Sequence, residues 1–231
     1  MEEILRTGAA QLGIPLRAGA VEQLSTYWQL LEEKNKVMNL TAINGMEDCA
    51  RLHFLDCAAL LRGRSLSGKS LIDIGSGAGF PGLVLKILEP ELKLTLLDSL
   101  GKRVDFQKEV CAALGLEVTC LHARAEEAAD LYGQFDYAAA RAVSRMRMLT
   151  ELCLPFVKKG GSFLAMKGPE PEDEVQEAKN AIRILGGELQ GIEKYAVPGT
   201  DAVHSIVEIK KIAPTPPKYP RSWAKIKKSP L

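Results

Sequence analysis

Leu71-Ile72-Asp73-Ile74-Gly75-Ser76-Gly77-Ala78-Gly79-Phe80-Pro81-Gly82 joins a short apolar run to a glycine-rich turn and then to the start of an amphipathic segment. Glycines at a strand-to-helix junction let the backbone turn sharply and let a ligand approach where a Cβ would clash. Their spacing discriminates between ligands. A dinucleotide fingerprint starting at Gly75 needs a third glycine where Phe80 stands. A Walker A loop starting at Gly77 reaches Gly82 but then meets Leu83 and Val84 in place of the phosphate-binding lysine. What remains is Asp73 followed by Gly75, Gly77 and Gly79, a pattern suited to a ligand that carries an ammonium group and no pyrophosphate.

Outward from this turn the chain alternates short apolar runs with longer amphipathic ones. Strands are predicted at Ser70–Ile74, Lys93–Asp98, Glu117–His122, Phe135–Ala140, Gly161–Lys167, Gly187–Tyr195 and Ser205–Ile212. Helices are predicted at Gly82–Leu88, Lys102–Leu114, Arg145–Val157 and Glu172–Leu185. Strand and helix in alternation with short connections specify an α/β fold, a mostly parallel twisted sheet with helices on both faces. The last two strands follow one another without a helix, which predicts an antiparallel edge. Before residue 66 the period is helical: Val21, Leu24, Trp28 and Leu31 mark one apolar face and Leu52, Leu55, Ala59 and Leu60 another, with Thr41 as a cap between them. The chain therefore divides into a helical N-terminal cap (1–66), a core (67–212) and a basic, proline-rich tail (213–231).

The strand ends carry the polar residues. Leu94-Thr95-Leu96-Leu97 ends in Asp98, where a doubly wound fold sets a carboxylate against ribose hydroxyls. The third strand ends in His122-Ala123-Arg124-Ala125-Glu126, beside an adenine-sized site; Glu126 also suits the first turn of a following helix. The fourth ends in Ala140-Arg141-Ala142-Val143, and Arg141 is a cation in apolar company, a place that makes sense if a cleft uses it.

Thirty Lys+Arg against twenty-nine Asp+Glu leave no global charge to advertise a polyanionic partner. The tail is the exception. From Ile209 onward there are seven cations and no acid, with Tyr219 and Trp223 among five prolines. Proline at that density predicts an extended segment, fit either to meet RNA phosphates and bases or simply to keep the chain soluble. Five cysteines without a CxxC pair and three scattered histidines predict neither a disulfide framework nor a metal site. No apolar run approaches the roughly 20 residues of a membrane span, and Met1-Glu2-Glu3-Ile4-Leu5-Arg6 lacks the features of a signal peptide, so a cytoplasmic protein is expected.

The Asp73–Gly79 loop with Asp98 resembles the class I S-adenosylmethionine-dependent methyltransferases, whose core is Rossmann-like. Further stretches resemble one branch, the glucose-inhibited division protein B family of 16S rRNA guanine-N7 methyltransferases. They are Asn39-Leu40-Thr41, His53-Phe54-Leu55-Asp56, Gly75 to Gly82, Ser99-Leu100-Gly101-Lys102-Arg103, Arg124-Ala125-Glu126, Ala140-Arg141-Ala142, Met166-Lys167-Gly168 and Tyr219-Pro220-Arg221. Cys57 stands where the family usually has serine. The resemblance implies that S-adenosylmethionine contacts Gly75, Gly77, Gly79, Phe80, Ala125, Glu126 and Arg141, with Asp98 toward the ribose. It implies as acceptor a guanine N7 in the 530 loop of 16S rRNA, met as rRNA or as the small ribosomal subunit particle by a monomeric enzyme without metal.

Guanine N7 has an in-plane lone pair and no proton, so no general base is needed and no catalytic residue is assigned. Asp56 and Phe54 suit either the surroundings of the base or a helix cap and a core aromatic, and His53 and Asn39 are equally open. Rival readings are an NAD-dependent oxidoreductase, a methyltransferase with another RNA or small-molecule acceptor, and a non-catalytic RNA-binding protein.

Overall fold

The computed structural model describes residues 1–141 and 143–231; Ala142, part of the fourth-strand reading, lies outside the described residues. β1 (Ser70–Ile74), β2 (Lys93–Asp98), β3 (Thr119–His122), β4 (Phe135–Arg141), β5 (Val157–Lys167), β6 (Gly187–Ala196) and β7 (Val203–Lys211) form one sheet. Its order is β3-β2-β1-β4-β5-β7-β6. The first five strands pair parallel, and β7 runs antiparallel to both β5 and β6. The chain order reverses between β1 and β4, so a crevice opens at the carboxyl ends of those strands. All the strand-end residues singled out above lie at that edge.

The central strands form where they are buried on both faces. Leu71, Ile72, Leu96, Ala138, Phe163 and Leu164 are fully buried, and continuous apolar runs of this kind mark central parallel strands. Two hydrophobic clusters cover the two faces. One joins α1 (Glu2–Leu12) and α2 (Ala20–Met38) with α5 (Gly82–Leu88) and α6 (Gly101–Leu114). The other joins α7 (Met146–Cys153) and α8 (Glu172–Ile184). The N-terminal helices thus share a core with the sheet, through Leu5, Leu24, Tyr27 and Phe54 packed in the same cluster as Leu71 and Leu96. Burying each large apolar side chain of this set contributes roughly 1.5–3 kcal/mol.

The aromatic buried on α2 is Tyr27, not Trp28, which is half-buried. Counting the apolar period favoured the larger ring, whereas the hydroxyl of Tyr27 is satisfied inside the core by the Ala78 carbonyl, 2.6 Å away. Between α2 and β1 the second predicted helix is composite. α3 (Met46–Asp48) leads into a π-helical stretch, Cys49–Leu55, then α4 (Asp56–Ala58) and a 3-10 turn, Ala59–Leu61. Thr41 does not cap it. Its hydroxyl accepts the Ile43 N–H at 3.0 Å and meets His53 Nε2 at 2.8 Å.

The tail contains a helix, α9 (Trp223–Lys228). The prolines break only their own positions, and the stretch between Pro220 and Pro230 has room for one short helix. Its anchor is Glu151 on α7, fully buried, which accepts the Arg221 backbone N–H and Nε through Oε1 (2.9 and 2.8 Å) and Nη2 through Oε2 (2.6 Å). Trp223 and Tyr219 pack against the second cluster, Ile226 is buried, and Lys225, Lys227 and Lys228 face solvent.

Candidate functional site

The turn after β1 is built from backbone conformations that side chains resist. Gly75, Gly77 and Gly79 have φ of 68, 59 and 105°, values open to glycine and costly to residues with a Cβ. Two of the three are also hemmed in. A Cβ on Gly79 would lie 2.4 Å from Leu83 Cδ1 and 2.8 Å from the Tyr27 hydroxyl, and one on Gly75 would lie 2.8 Å from Val143 Cγ2. A Cβ on Gly77 would meet nothing closer than the Gly75 carbonyl at 4.0 Å. Gly77 therefore faces open space at the crevice, where a bound molecule has room to lie against bare backbone.

The surrounding polar groups hold this turn. Asp98 Oδ2 accepts the Gly77 N–H at 2.8 Å and Oδ1 accepts the Leu100 N–H at 2.9 Å. Asp98 is 2% exposed, and Arg103 Nη1 stands 3.5 Å from it. Gln107, on α6, donates to the Ser76 hydroxyl (2.9 Å) and to the Gly77 carbonyl (2.7 Å). Asp73 caps the start of α5 by accepting the Gly82 N–H at 2.8 Å. Burial pushes the Asp73 carboxyl up to about 7, against the pull of that N–H and of Arg141. Its other oxygen, and the Oε1 of Gln107, are buried with no partner among the described residues. An orphaned acceptor on each of these two side chains fits a ligand that brings donors, such as an ammonium group.

A second cluster meets at the end of β4. Arg141 donates to the Leu52 carbonyl (3.0 Å), to Asp56 Oδ2 (3.1 Å) and to His53 Nδ1 (2.5 Å), and lies 5.0 Å above the Phe80 ring. A guanidinium only donates, so His53 Nδ1 is the acceptor and its Nε2–H donates to Thr41. Burial and Arg141 together pull His53 down to about 3, keeping it neutral. Asp56 Oδ1 accepts from the Tyr195 hydroxyl and from His204 Nδ1, both at 2.7 Å. Burial alone would raise the Asp56 pKa, but His204, Arg141 and Tyr195 outweigh it and hold the carboxyl below its usual range. The Asp56 hydrogen bond in turn raises His204. A cavity of about 490 Å³ opens beside this cluster, lined by His53, Asp56, Arg141, Met166, Lys167 and His204.

The strand-end residues named from the sequence share the carboxyl edge of the sheet, although not one common contact. Gly77 and Asp98 touch directly, and Phe80 joins Arg141. The Phe80 ring is taken up by packing, stacked on His53 at 4.2 Å and on Tyr27 at 5.2 Å. Ala125 and Glu126 sit on a 3-10 turn after β3, where the Tyr132 hydroxyl holds the Ala125 carbonyl at 2.8 Å. Phe54 is the core aromatic and Asn39 the left-handed end of α2, φ 48°. Asp56 is neither a cap nor free. It is the centre of the Arg141 cluster.

A family model described as rRNA small subunit methyltransferase G (GidB) matches residues 20–201. The chain belongs to this family. Its relatives include the ribosomal RNA small subunit methyltransferase G of Alkaliphilus metalliredigens, 46% identical with 99% of this chain and 98% of that one covered. Another is that of Clostridium botulinum strain Loch Maree, 43% identical with the same coverage. Among solved structures, TrmN from Thermus thermophilus superposes with a TM-score of 0.56 at 19% identity, covering 77% of this chain and 53% of that one. A SAM-dependent methyltransferase from Aquifex aeolicus gives 0.52 at 19% identity, covering 69% and 92%. The protein is an S-adenosylmethionine-dependent rRNA methyltransferase with the class I fold, as the resemblance led us to expect, and the oxidoreductase and non-catalytic readings fall away. No helix among the described residues is long and apolar enough to cross a membrane.

Sequence reasoning missed Tyr27, Gln107, Tyr195 and His204. Gln107 sits on α6, six residues past Gly101, with nothing in its neighbours to mark it. Tyr195 and His204 sit on strands that pair with one another, and only the register Tyr195↔His204 brings them side by side near Asp56.

Proposed function

We propose that this methyltransferase acts on N7 of a guanine in the 530 loop of 16S rRNA, met as rRNA or in the small ribosomal subunit particle. The reading is carried by the state of the groups around the 490 Å³ cavity. His53 is neutral with both nitrogens engaged, and Asp56 accepts from three side chains. Lys167 is held by Glu174 at 2.7 Å and the Ser144 carbonyl at 2.9 Å. His204 also lines the cavity with its Nδ1 held by Asp56, but His53, Asp56 and Lys167 are each engaged by protein partners, and this suits an acceptor that attacks without losing a proton. Guanine N7 is such an acceptor, whereas hydroxyl and amino acceptors must shed a proton.

When bound, S-adenosylmethionine supplies an electrophilic methyl group on a sulfonium. In this proposal the Gly75–Gly79 backbone holds its amino-acid end with Asp73 near the ammonium, and Asp98 faces the ribose. Ala125 and Glu126 enclose the adenine end, Phe80 contacts the cofactor, and Arg141 stands between cofactor and acceptor. Alignment of the reacting atoms is the main catalytic work, worth up to ~7–11 kcal/mol. The division into a helical cap (1–66), a methyltransferase core (67–212) and a basic tail (213–231) belongs to the same proposal, with the exposed tail lysines as phosphate contacts.

The test is to incubate the protein and labelled S-adenosylmethionine with rRNA, and with small subunits, from cells that lack it, and then to map the modified base. A methylated guanine N7 is expected; label on another atom, or on no RNA, overturns the reading. For the tail, alanine at Lys225, Lys227 and Lys228 should lower the slope of log RNA affinity against log salt by ~0.7–0.9 per lost contact. An unchanged slope removes those three residues from the interface.

A further inference from the structure

A second cavity, of about 440 Å³, lies between the C-terminal half of α2 and the turn that follows it. Its floor is apolar: Leu31 and Cys49 are buried, and Trp28 is half-buried beside them. Its rim is polar and exposed, with Lys36, Asn39, Asn44 and the carboxylate of Glu32. The wall is held in place, because Asn35 donates to the Thr41 carbonyl (3.0 Å) and accepts the Thr41 N–H (2.9 Å). The cavity also adjoins the acceptor site. Ile43 lines both, and the Thr41 hydroxyl in this wall is the end of the chain Arg141–His53–Thr41.

An aromatic side chain on an apolar floor, with amides and an ammonium on the rim, is the chemistry that receives an unstacked nucleobase. Bases of single-stranded loops are held by stacking on aromatic rings, by hydrogen bonds to their edges and by cations on the backbone. We propose that this cavity is a second nucleobase subsite, which takes a nucleotide flanking the methylated one, with Trp28 as its stacking platform and Lys36 toward its phosphate. This rests on reading the cavity beside Arg141 as the acceptor site. A loop gripped at two neighbouring nucleotides cannot slide, so the subsite would set which base reaches the methyl donor.

The chain has two tryptophans, Trp28 and Trp223, so a full-length Trp223→Phe protein reports on Trp28 alone while keeping a ring on the second cluster. Its emission is followed as an in vitro 16S rRNA transcript, and separately small subunits from cells lacking the enzyme, are added, with methyl transfer measured in the same samples. Saturable quenching of Trp28 by the substrate that is methylated is the expected result. In the otherwise native chain, Trp28→Leu should weaken binding of that substrate about tenfold or more, with affinity for S-adenosylmethionine unchanged. Unchanged Trp28 emission where methyl transfer is saturated overturns the subsite and leaves the acceptor site standing. Absence of methyl transfer to both RNAs overturns the acceptor reading and the subsite with it. Should Trp28→Leu fail to fold, the emission experiment still decides, because it uses the native residue.

Discussion

The glycine turn after β1 and the cluster around Arg141 adjoin at one edge of the sheet, yet they are made by different means. The turn is local: a dozen consecutive residues, with Asp98 and Gln107 reaching in from the next strand and helix. Its shape is set by backbone conformation, and Gly77 is left bare on the open side. The cluster is assembled by side chains from four separated parts of the chain: the π-helical stretch and α4, β4, β6 and β7. The turn needs small residues and tolerates no bulk, whereas the cluster needs every charge matched. Damage to the first should empty the cofactor site and spare the fold, and damage to the second should cost the fold stability.

The largest expected effect on ligand binding is at the turn. Gly77→Val introduces a branched side chain at φ 59° into the space left for ligand, whereas β1 and α5 keep their packing. Binding of S-adenosylmethionine should fall by roughly a hundredfold or more, on the order of 3 kcal/mol, with the far-ultraviolet circular dichroism preserved. Calorimetry that found normal affinity in the folded variant would place the cofactor elsewhere.

At the cluster, Asp56→Ala removes the acceptor for Arg141, Tyr195 and His204 together and leaves a guanidinium buried beside a neutral histidine. Removing one partner of a buried ion pair typically costs about 3–5 kcal/mol. Denaturant unfolding should show a loss of that size, with slope m unchanged. A stable Asp56→Ala protein would mean that the cluster is not structural and that its charges serve the acceptor alone.

The contrast also explains what was legible beforehand. The sheet could be read because buried parallel strands are continuous apolar runs: of the seven predicted strands two match residue for residue and four needed end corrections of one or two residues. The exception was β5, which begins at Val157 rather than Gly161 because the exposed Lys158 to Gly160 disguise its start. The turn was legible because glycine spacing is a statement about backbone shape. The cluster was only half legible. Arg141 stood out as a cation in apolar company, and Asp56 and His53 were noted without roles, but their meeting with Tyr195 and His204 depends on tertiary register. A π-helix has no pattern to read either, since its period differs from that of the helix around it.

The smallest expected effect separates the two regions by pH. Asp73, at the turn, has its pKa raised to about 7 by burial, so its folded form holds a proton that the unfolded chain releases near 3.9. Stability should therefore fall with rising pH between about 4 and 7 on account of Asp73, and its contribution should be flat above that. His204, in the cluster, is raised by its hydrogen bond to Asp56, against burial and Arg141. Its contribution is fully present below the ordinary histidine value of about 6.5 and is lost as pH rises through the higher folded value. Both slopes have the same sign, and only their windows differ. Melting temperatures of the native protein, Asp73→Asn and His204→Gln should be compared across the range from mildly acidic to mildly alkaline pH. Asp73→Asn should flatten the acidic part of the curve and leave the alkaline part, because asparagine keeps an acceptor for the Gly82 N–H without titrating. His204→Gln should do the opposite, because glutamine can donate to Asp56 at every pH. A His204→Gln curve parallel to the native one above pH ~7 would show that Asp56 does not favour the protonated form of His204, and the cluster would then rest on Arg141 and Tyr195.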